Sequence, residues 1–115
     1  MSEHENCHVE PLEKPLDRKV LASAEVAFLK VTGMGCPNCA TRVRNALLRL
    51  KGVLYVDVSL ARGMAAAAFR SEQVTTGDLA AAVANAGNEA HHHYQARLLD
   101  TMPAREAFTF ATETA

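Results

Sequence analysis

The chain has 115 residues, enough for one small domain with short extensions, since single domains typically run to about 100–150 residues. Hydrophobic residues make up 49% of the chain, but only 5% are aromatic and there is no tryptophan, which predicts a small core and argues against a large catalytic cleft. The formal net charge of −1 gives no reason to expect nucleic acid or an anionic membrane as the partner.

The first 22 residues are predicted to form a flexible arm, because prolines and alternating charges occur there without an apolar period. This start lacks the basic and apolar regions of a secretory signal, and no apolar run in the chain approaches the roughly 20 residues that a bilayer span requires. We therefore expect a cytoplasmic protein without membrane insertion. In a reducing cytosol its three cysteines are more often ligands or redox groups than disulfides.

Hydrophobic periodicity and turn signals divide the rest of the chain into short elements. The alanines of 64–70 favour a helix intrinsically, but seven residues between two turns are short for one, and we predict a strand. Proline at the first turn suits the first helix. The predicted elements are a strand over 25–31, a helix over 37–51, strands over 53–60 and 64–70, a helix capped by Thr76 and ended by Gly87, and a strand over 94–99.

The order β-α-β-β-α-β predicts an α+β fold, the ferredoxin-like sandwich, with two helices on one face of a four-stranded antiparallel sheet. We divide the chain into the arm (1–22), one domain (23–100) and a C-terminal tail (101–115). Because the first and last strands are antiparallel neighbours in this fold, the loops at 32–38 and 88–93 should meet at one end of the sheet.

Cys36 and Cys39 form a CxxC motif at the start of the first predicted helix. Two soft thiolates at this spacing can hold a soft, closed-shell ion such as Cu(I), Ag(I) or Hg(II) at low coordination number and release it by ligand exchange. A thiol-disulfide redox motif and a structural zinc site are the alternatives. The first normally needs a larger sheet and a proline facing the disulfide, and the second needs four ligands. A metal-binding protein that is not an enzyme is therefore favoured.

The stretch GMGCPNC (33–39) resembles the GMxCxxC signature of the heavy-metal-associated domain, and apolar framework positions over roughly 24–100 follow that family in order. By this resemblance Cys36 and Cys39 are the metal ligands of a metallochaperone or metal buffer. Its partner would be a metal-transporting P-type ATPase or another metal-handling protein, and the chain would be a monomer or a metal-bridged dimer. The neutral Gly35 favours Cu(I) as the ion, with Hg(II), Zn(II) and Cd(II) as alternatives.

The remaining cysteine and the histidines are candidates for further ligands. His91, His92 and His93 have three interpretations: a solvated loop, extra ligands for the cysteine pair, or a separate site for Cu(II), Zn(II) or Ni(II). In an extended strand His91 and His93 would share a face. Cys7 and His8 lie in an arm long enough to fold back to the motif, although a free tail is favoured.

The first helix is also basic, with no acidic residue between 39 and 51. A solvated helix face explains this pattern as well as a docking surface for an acidic partner does. The resemblance favours docking, since metal chaperones often present such a face to their target ATPase. The candidate docking residues are Arg42, Arg44, Arg49 and Lys51.

Overall fold

The computed structural model describes residues 10–15, 17–89 and 93–107. Four strands form one antiparallel sheet in the order β2-β3-β1-β4, which confirms the α+β, ferredoxin-like prediction. In chain order the elements are helix α1 (Arg18–Ala22), strand β1 (Glu25–Thr32), helix α2 (Pro37–Leu48), strands β2 (Val53–Ser59) and β3 (Met64–Phe69), helix α3 (Thr76–Glu89), strand β4 (Gln95–Pro103) and helix α4 (Ala104–Ala107).

The main core lies between the sheet and helices α2 and α3. Leu29 of β1, Leu47 of α2 and Leu79 of α3 are fully buried in it. Ala65 and Ala67 of β3 belong to the same cluster, and β3 pairs with both β1 and β2. Pairing on both sides therefore overrides the helical propensity of these alanines. The strand predicted over 64–70 is present as β3.

The opposite face of the sheet carries a second apolar cluster, covered by α1 and α4. Leu21 of α1 and Ala104 of α4 are buried against Val26 and Ala68 of the sheet. The prediction of a flexible arm is therefore wrong for residues 17–22, and residues 101–107, which the sequence assigned to a tail, belong to the folded domain. Helices of five and four residues are too short to show a period, and burial against the sheet selects them.

Element ends also differ from the sequence prediction. Helix α3 continues through Gly87, and β4 extends four residues beyond the predicted 94–99. Thr75, not Thr76, caps α3: its hydroxyl accepts a hydrogen bond from the Asp78 N–H (3.1 Å), and the Asp78 carboxylate accepts one from the Thr75 N–H (3.0 Å). Among the described residues, no helix has both the length and the hydropathy of a bilayer span.

Residues 10–15, called the docked segment below, are held along helix α2. The Leu12 N–H donates to Asn45 Oδ1 (2.8 Å), Asn45 Nδ2 donates to the Glu10 carbonyl (2.7 Å), and Arg44 Nη1 donates to the Leu12 carbonyl (2.7 Å). Asn45 is only 2% exposed, so its amide is satisfied by this backbone rather than by water. The predicted flexible arm is therefore fixed to the domain over these residues.

Alanine at Asn45 is expected to lower the free energy of unfolding by about 2–3 kcal/mol, because two buried hydrogen bonds are lost and the Leu12 contact is weakened. Denaturant unfolding and hydrogen exchange of the Leu12 amide measure this change. Thr41→Ala is the matched control, since the Thr41 hydroxyl bonds to the Pro37 carbonyl of its own helix (3.2 Å). Equal stability losses in the two variants would contradict the assigned role of Asn45.

Candidate metal centre

The two cysteines of the motif lie at the N-terminal end of α2. Cys36 is the exposed N-cap residue in extended conformation (φ −159°, ψ 167°), and Pro37 begins the helix. Cys39 lies in the first turn and is 3% exposed. Their Sγ atoms are 3.6 Å apart and both thiols are free. The motif thus presents one accessible and one buried sulfur side by side, where the helix dipole favours negative charge.

The surroundings of the buried sulfur lower the pKa of its thiol. Burial opposes ionisation, but hydrogen bonds from the Tyr94 hydroxyl, the Gly35 N–H and Cys36 outweigh it, so the pKa of Cys39 is lowered from its usual value. Burial, together with the hydrogen bond to Cys39, raises the pKa of Tyr94, although Arg42 acts in the opposite direction. The phenol therefore remains a protonated donor at neutral pH.

Replacement of Tyr94 by phenylalanine is expected to raise the pKa of Cys39, because the thiolate loses a hydrogen-bond donor while its burial stays. The thiolate absorbance of the metal-free, reduced protein followed against pH measures this. The same titration of Tyr55→Phe, an exposed tyrosine of β2, is the control. A Cys39 titration that is the same in Tyr94→Phe as in the wild type would contradict the assigned hydrogen bond.

The two loops expected at one end of the sheet are in contact. Gly33 has a positive φ of +98°, and a Cβ built there would lie 1.9 Å from the His93 carbonyl oxygen and 3.2 Å from Tyr94 Cα. Met34 packs against the main core and anchors the loop as an apolar residue. The predicted meeting of the loops is therefore confirmed at the level of the backbone.

Tyr94 is the site residue that sequence reasoning missed. The sequence places it only at the start of the last strand, but it lies just before β4 with 2% exposure, and its hydroxyl helps to lower the pKa of Cys39. A signal existed: an aromatic residue immediately before the last strand stands at the end of the sheet where the CxxC motif was expected.

The candidate additional ligands are placed only in part. The side chain of His93 is exposed. His91, His92, Cys7 and His8 lie outside the described residues. Over residues 10–15, 17–89 and 93–107, no three His, Cys, Asp or Glu side chains gather into a group that could hold an ion.

The basic residues of α2 do not form one surface. Arg42 acts on the Tyr94 hydroxyl beside the cysteine pair by lowering the pKa of the phenol, whereas Arg44 binds the docked segment. Arg49 follows Arg42 by seven residues, so the two lie near one line along the helix, and Lys51 is exposed beyond its end. Arg42 thus lies beside the cysteine pair, and docking through these residues stays a prediction.

Comparison with known proteins gives consistent similarities. The model of the heavy-metal-associated domain matches residues 28–89. A mercuric reductase of Shigella flexneri is 45% identical over 76 residues, which are 65% of this chain and 12% of that protein. The chain spans no more than 15% of the length of the curated relatives it matches.

Solved structures show the same fold. A copper-binding domain from HMA7, a P-type ATPase, superposes with a TM-score of 0.61 at 27% identity, covering 67% of this chain and 96% of that one. Oxidized MerP from Ralstonia metallidurans CH34 superposes with a TM-score of 0.55 at 25% identity, covering 67% and 99% of the two chains.

Proposed function

Because this chain belongs to the heavy-metal-associated domain family, we propose that it captures one soft, closed-shell metal ion between Cys36 and Cys39 and passes it to another metal-handling protein. Membership of this family confirms the resemblance of the GMGCPNC stretch. The observation that carries the proposal is the pair of free, neighbouring sulfurs, one exposed and one buried with a lowered pKa. Such a pair can bind a metal ion directly, because neither sulfur is tied up in a disulfide.

The unequal burial of the two sulfurs supports transfer by ligand exchange. Cys36 is accessible to an incoming thiolate, and Cys39 is held by hydrogen bonds from Tyr94 and Gly35. An ion bound to only two thiolates can accept a third before it loses either of the first two. In this scheme Cys36 is the ligand that exchanges first and Cys39 is the one that holds the ion until transfer is complete.

The receiving partner that we propose is a metal-transporting P-type ATPase or another metal-handling protein, in the cytoplasm. The charge of Arg42 beside the cysteine pair, with Arg49 farther along the same helix, supports docking on an acidic surface next to the partner's own ligands. Delivery of an ion to such a partner requires no catalysis by this chain, so we propose a carrier and not an enzyme.

Two ions are candidates for the cargo. Cu(I) is favoured by the low coordination number and by the neutral Gly35 beside the first cysteine. Hg(II) is favoured by a different observation, the 45% identity to a mercuric reductase. Both ions are soft and closed-shell, so both fit a two-thiolate site better than Zn(II) or Cd(II) does when further ligands are absent.

Competition titrations of the reduced chain with Cu(I), Hg(II) and Zn(II) test the proposal. We expect one soft ion per chain, bound at least about a thousandfold tighter than Zn(II), and rapid transfer to a small dithiol. Preference for Zn(II) would contradict the proposed cargo. Catalytic reduction of insulin disulfides would contradict the carrier role and favour the thiol-disulfide alternative.

A further inference from the structure

Strand β4 (Gln95–Pro103) lies at one edge of the sheet. It pairs with β1 on one side, and no other described strand pairs with its outer side. Leu98 and Leu99, in the middle of β4, are each 43% exposed and are two of the three exposed large apolar side chains in the described part of the chain. An edge strand with exposed apolar side chains is a template for pairing with another chain.

A bulge in β4 puts two opposite charges on one face of the sheet. Arg97 lies opposite Lys30 of β1, and Asp100 lies opposite Phe28, with a register shift between the two pairs. Because Lys30 and Phe28 are two residues apart in β1, their side chains share a face, and the side chains of Arg97 and Asp100 lie on that same face. In a regular strand, a separation of three residues would put the two charges on opposite faces.

Neither charge is neutralised inside the chain, as far as residues 10–15, 17–89 and 93–107 show. Arg97 stands beside a second cation, Lys30, and like charges directly opposite each other destabilise a strand pair. Lys30 Nζ donates to the Arg62 carbonyl (3.1 Å), which satisfies a donor but leaves the positive charge. Asp100 Oδ1 accepts a hydrogen bond from the Thr101 N–H (2.8 Å), so the carboxylate keeps its negative charge at the outer edge.

We propose that this edge pairs with β4 of a second copy of the chain, antiparallel and about a two-fold axis between Leu98 and Leu99. In that register Leu98 faces Leu99 of the second copy, and Arg97 faces Asp100 of the second copy. Charges on an edge strand normally hinder pairing, but here they are of opposite sign and lie at positions that the two-fold axis superposes. Two cross-strand ion pairs therefore form in each dimer, both on the face that carries Lys30.

The paired edges keep the two metal sites apart. The cysteine pair lies at the end of the sheet where β4 begins, because the loop before β4 contacts Gly33. In the proposed register Gln95 faces Met102 of the second copy, so the two copies of Gln95 are about 20 Å apart along the strands. One ion cannot bridge two cysteine pairs so arranged. The dimer is therefore expected to form without metal and to leave both pairs open, which makes it independent of the proposed function.

Sedimentation velocity of the reduced, metal-free full chain tests the pairing. One pair of edge strands is a small interface, so we expect a dimer dissociation constant between about 10 µM and 1 mM. Arg97→Asp and Asp100→Arg should each weaken dimerisation about tenfold or more, because each variant places two like-charge pairs across the axis. The double variant restores both ion pairs with reversed sign, and its dissociation constant should return to within about threefold of the wild type.

Arg62→Asp is the matched control, since it makes the same change of charge at an exposed position in the turn between β2 and β3. It should dimerise like the wild type. A wild type that stays monomeric at about 1 mM would refute the pairing. Tighter association of Arg97→Asp would also refute it, because the charges would then protect the edge.

A metal-bridged dimer is the remaining outcome that would overturn the proposal. Such a dimer would appear only with bound Cu(I) or Hg(II) and would be lost when both Cys36 and Cys39 are replaced by serine. The β4 dimer should persist in that double serine variant. Soft-ion binding by wild-type monomers would stand even if the β4 pairing failed, so the two proposals fail separately.

Discussion

Serine at both Cys36 and Cys39 is expected to weaken binding of Cu(I) and Hg(II) by at least about a thousandfold, or more than about 4 kcal/mol. A hydroxyl is a hard ligand that stays protonated at neutral pH, so neither position retains a group that a soft ion prefers. Competition titration under reducing conditions measures the loss.

The two single variants refine this result. Cys36→Ser changes an exposed side chain, so its unfolding free energy should stay within about 0.5 kcal/mol of the wild type while soft-ion affinity falls. Cys39→Ser puts a hydroxyl in a buried position and removes the thiolate that Tyr94 stabilises. It should therefore lose both affinity and some stability. Soft-ion affinity unchanged in the double variant would place the ion elsewhere in the chain.

The sequence was sufficient for the fold and for the position of the motif. The CxxC spacing, the helical period after Pro37 and the turn glycines are local signals, and α2, β2 and β3 appear where those signals placed them. The meeting of the two loops followed from topology alone, because antiparallel neighbours bring the end of one strand to the start of the other. The contact between Gly33 and His93 has that origin.

The parts that could not be predicted depend on contacts between distant residues. Asn45 is polar and would be assigned to solvent from its sequence, but it is buried because Glu10 and Leu12, 35 and 33 residues away, satisfy its amide. Periodicity is a local signal and cannot report such pairs. The same reason explains the missed role of Tyr94, whose partner Cys39 lies on a different element.

The loop contact supplies the second large prediction. Alanine at Gly33 is expected to lower the free energy of unfolding by about 3 kcal/mol or more, since a non-glycine residue at φ +98° is strained and its Cβ would overlap the His93 carbonyl oxygen. Relief of this overlap requires the loop before β4 to move away. Tyr94 is the next residue in that loop, so the hydrogen bond to Cys39 should weaken and the pKa of Cys39 should rise.

Gly35→Ala is the matched control for this effect. Nothing lies within 4 Å of a Cβ built at Gly35, and its N–H, which supports Cys39, is kept by alanine. We expect the free energy of unfolding of Gly35→Ala to differ from that of the wild type by no more than about 0.5 kcal/mol. Its Cys39 should titrate at the same pH as in the wild type. Denaturant unfolding measures the stability of both variants, and thiolate titration measures the pKa of Cys39 in each. Similar behaviour of the two would mean that the loops move independently, and the hydrogen bond from Tyr94 would then not depend on the Gly33 turn.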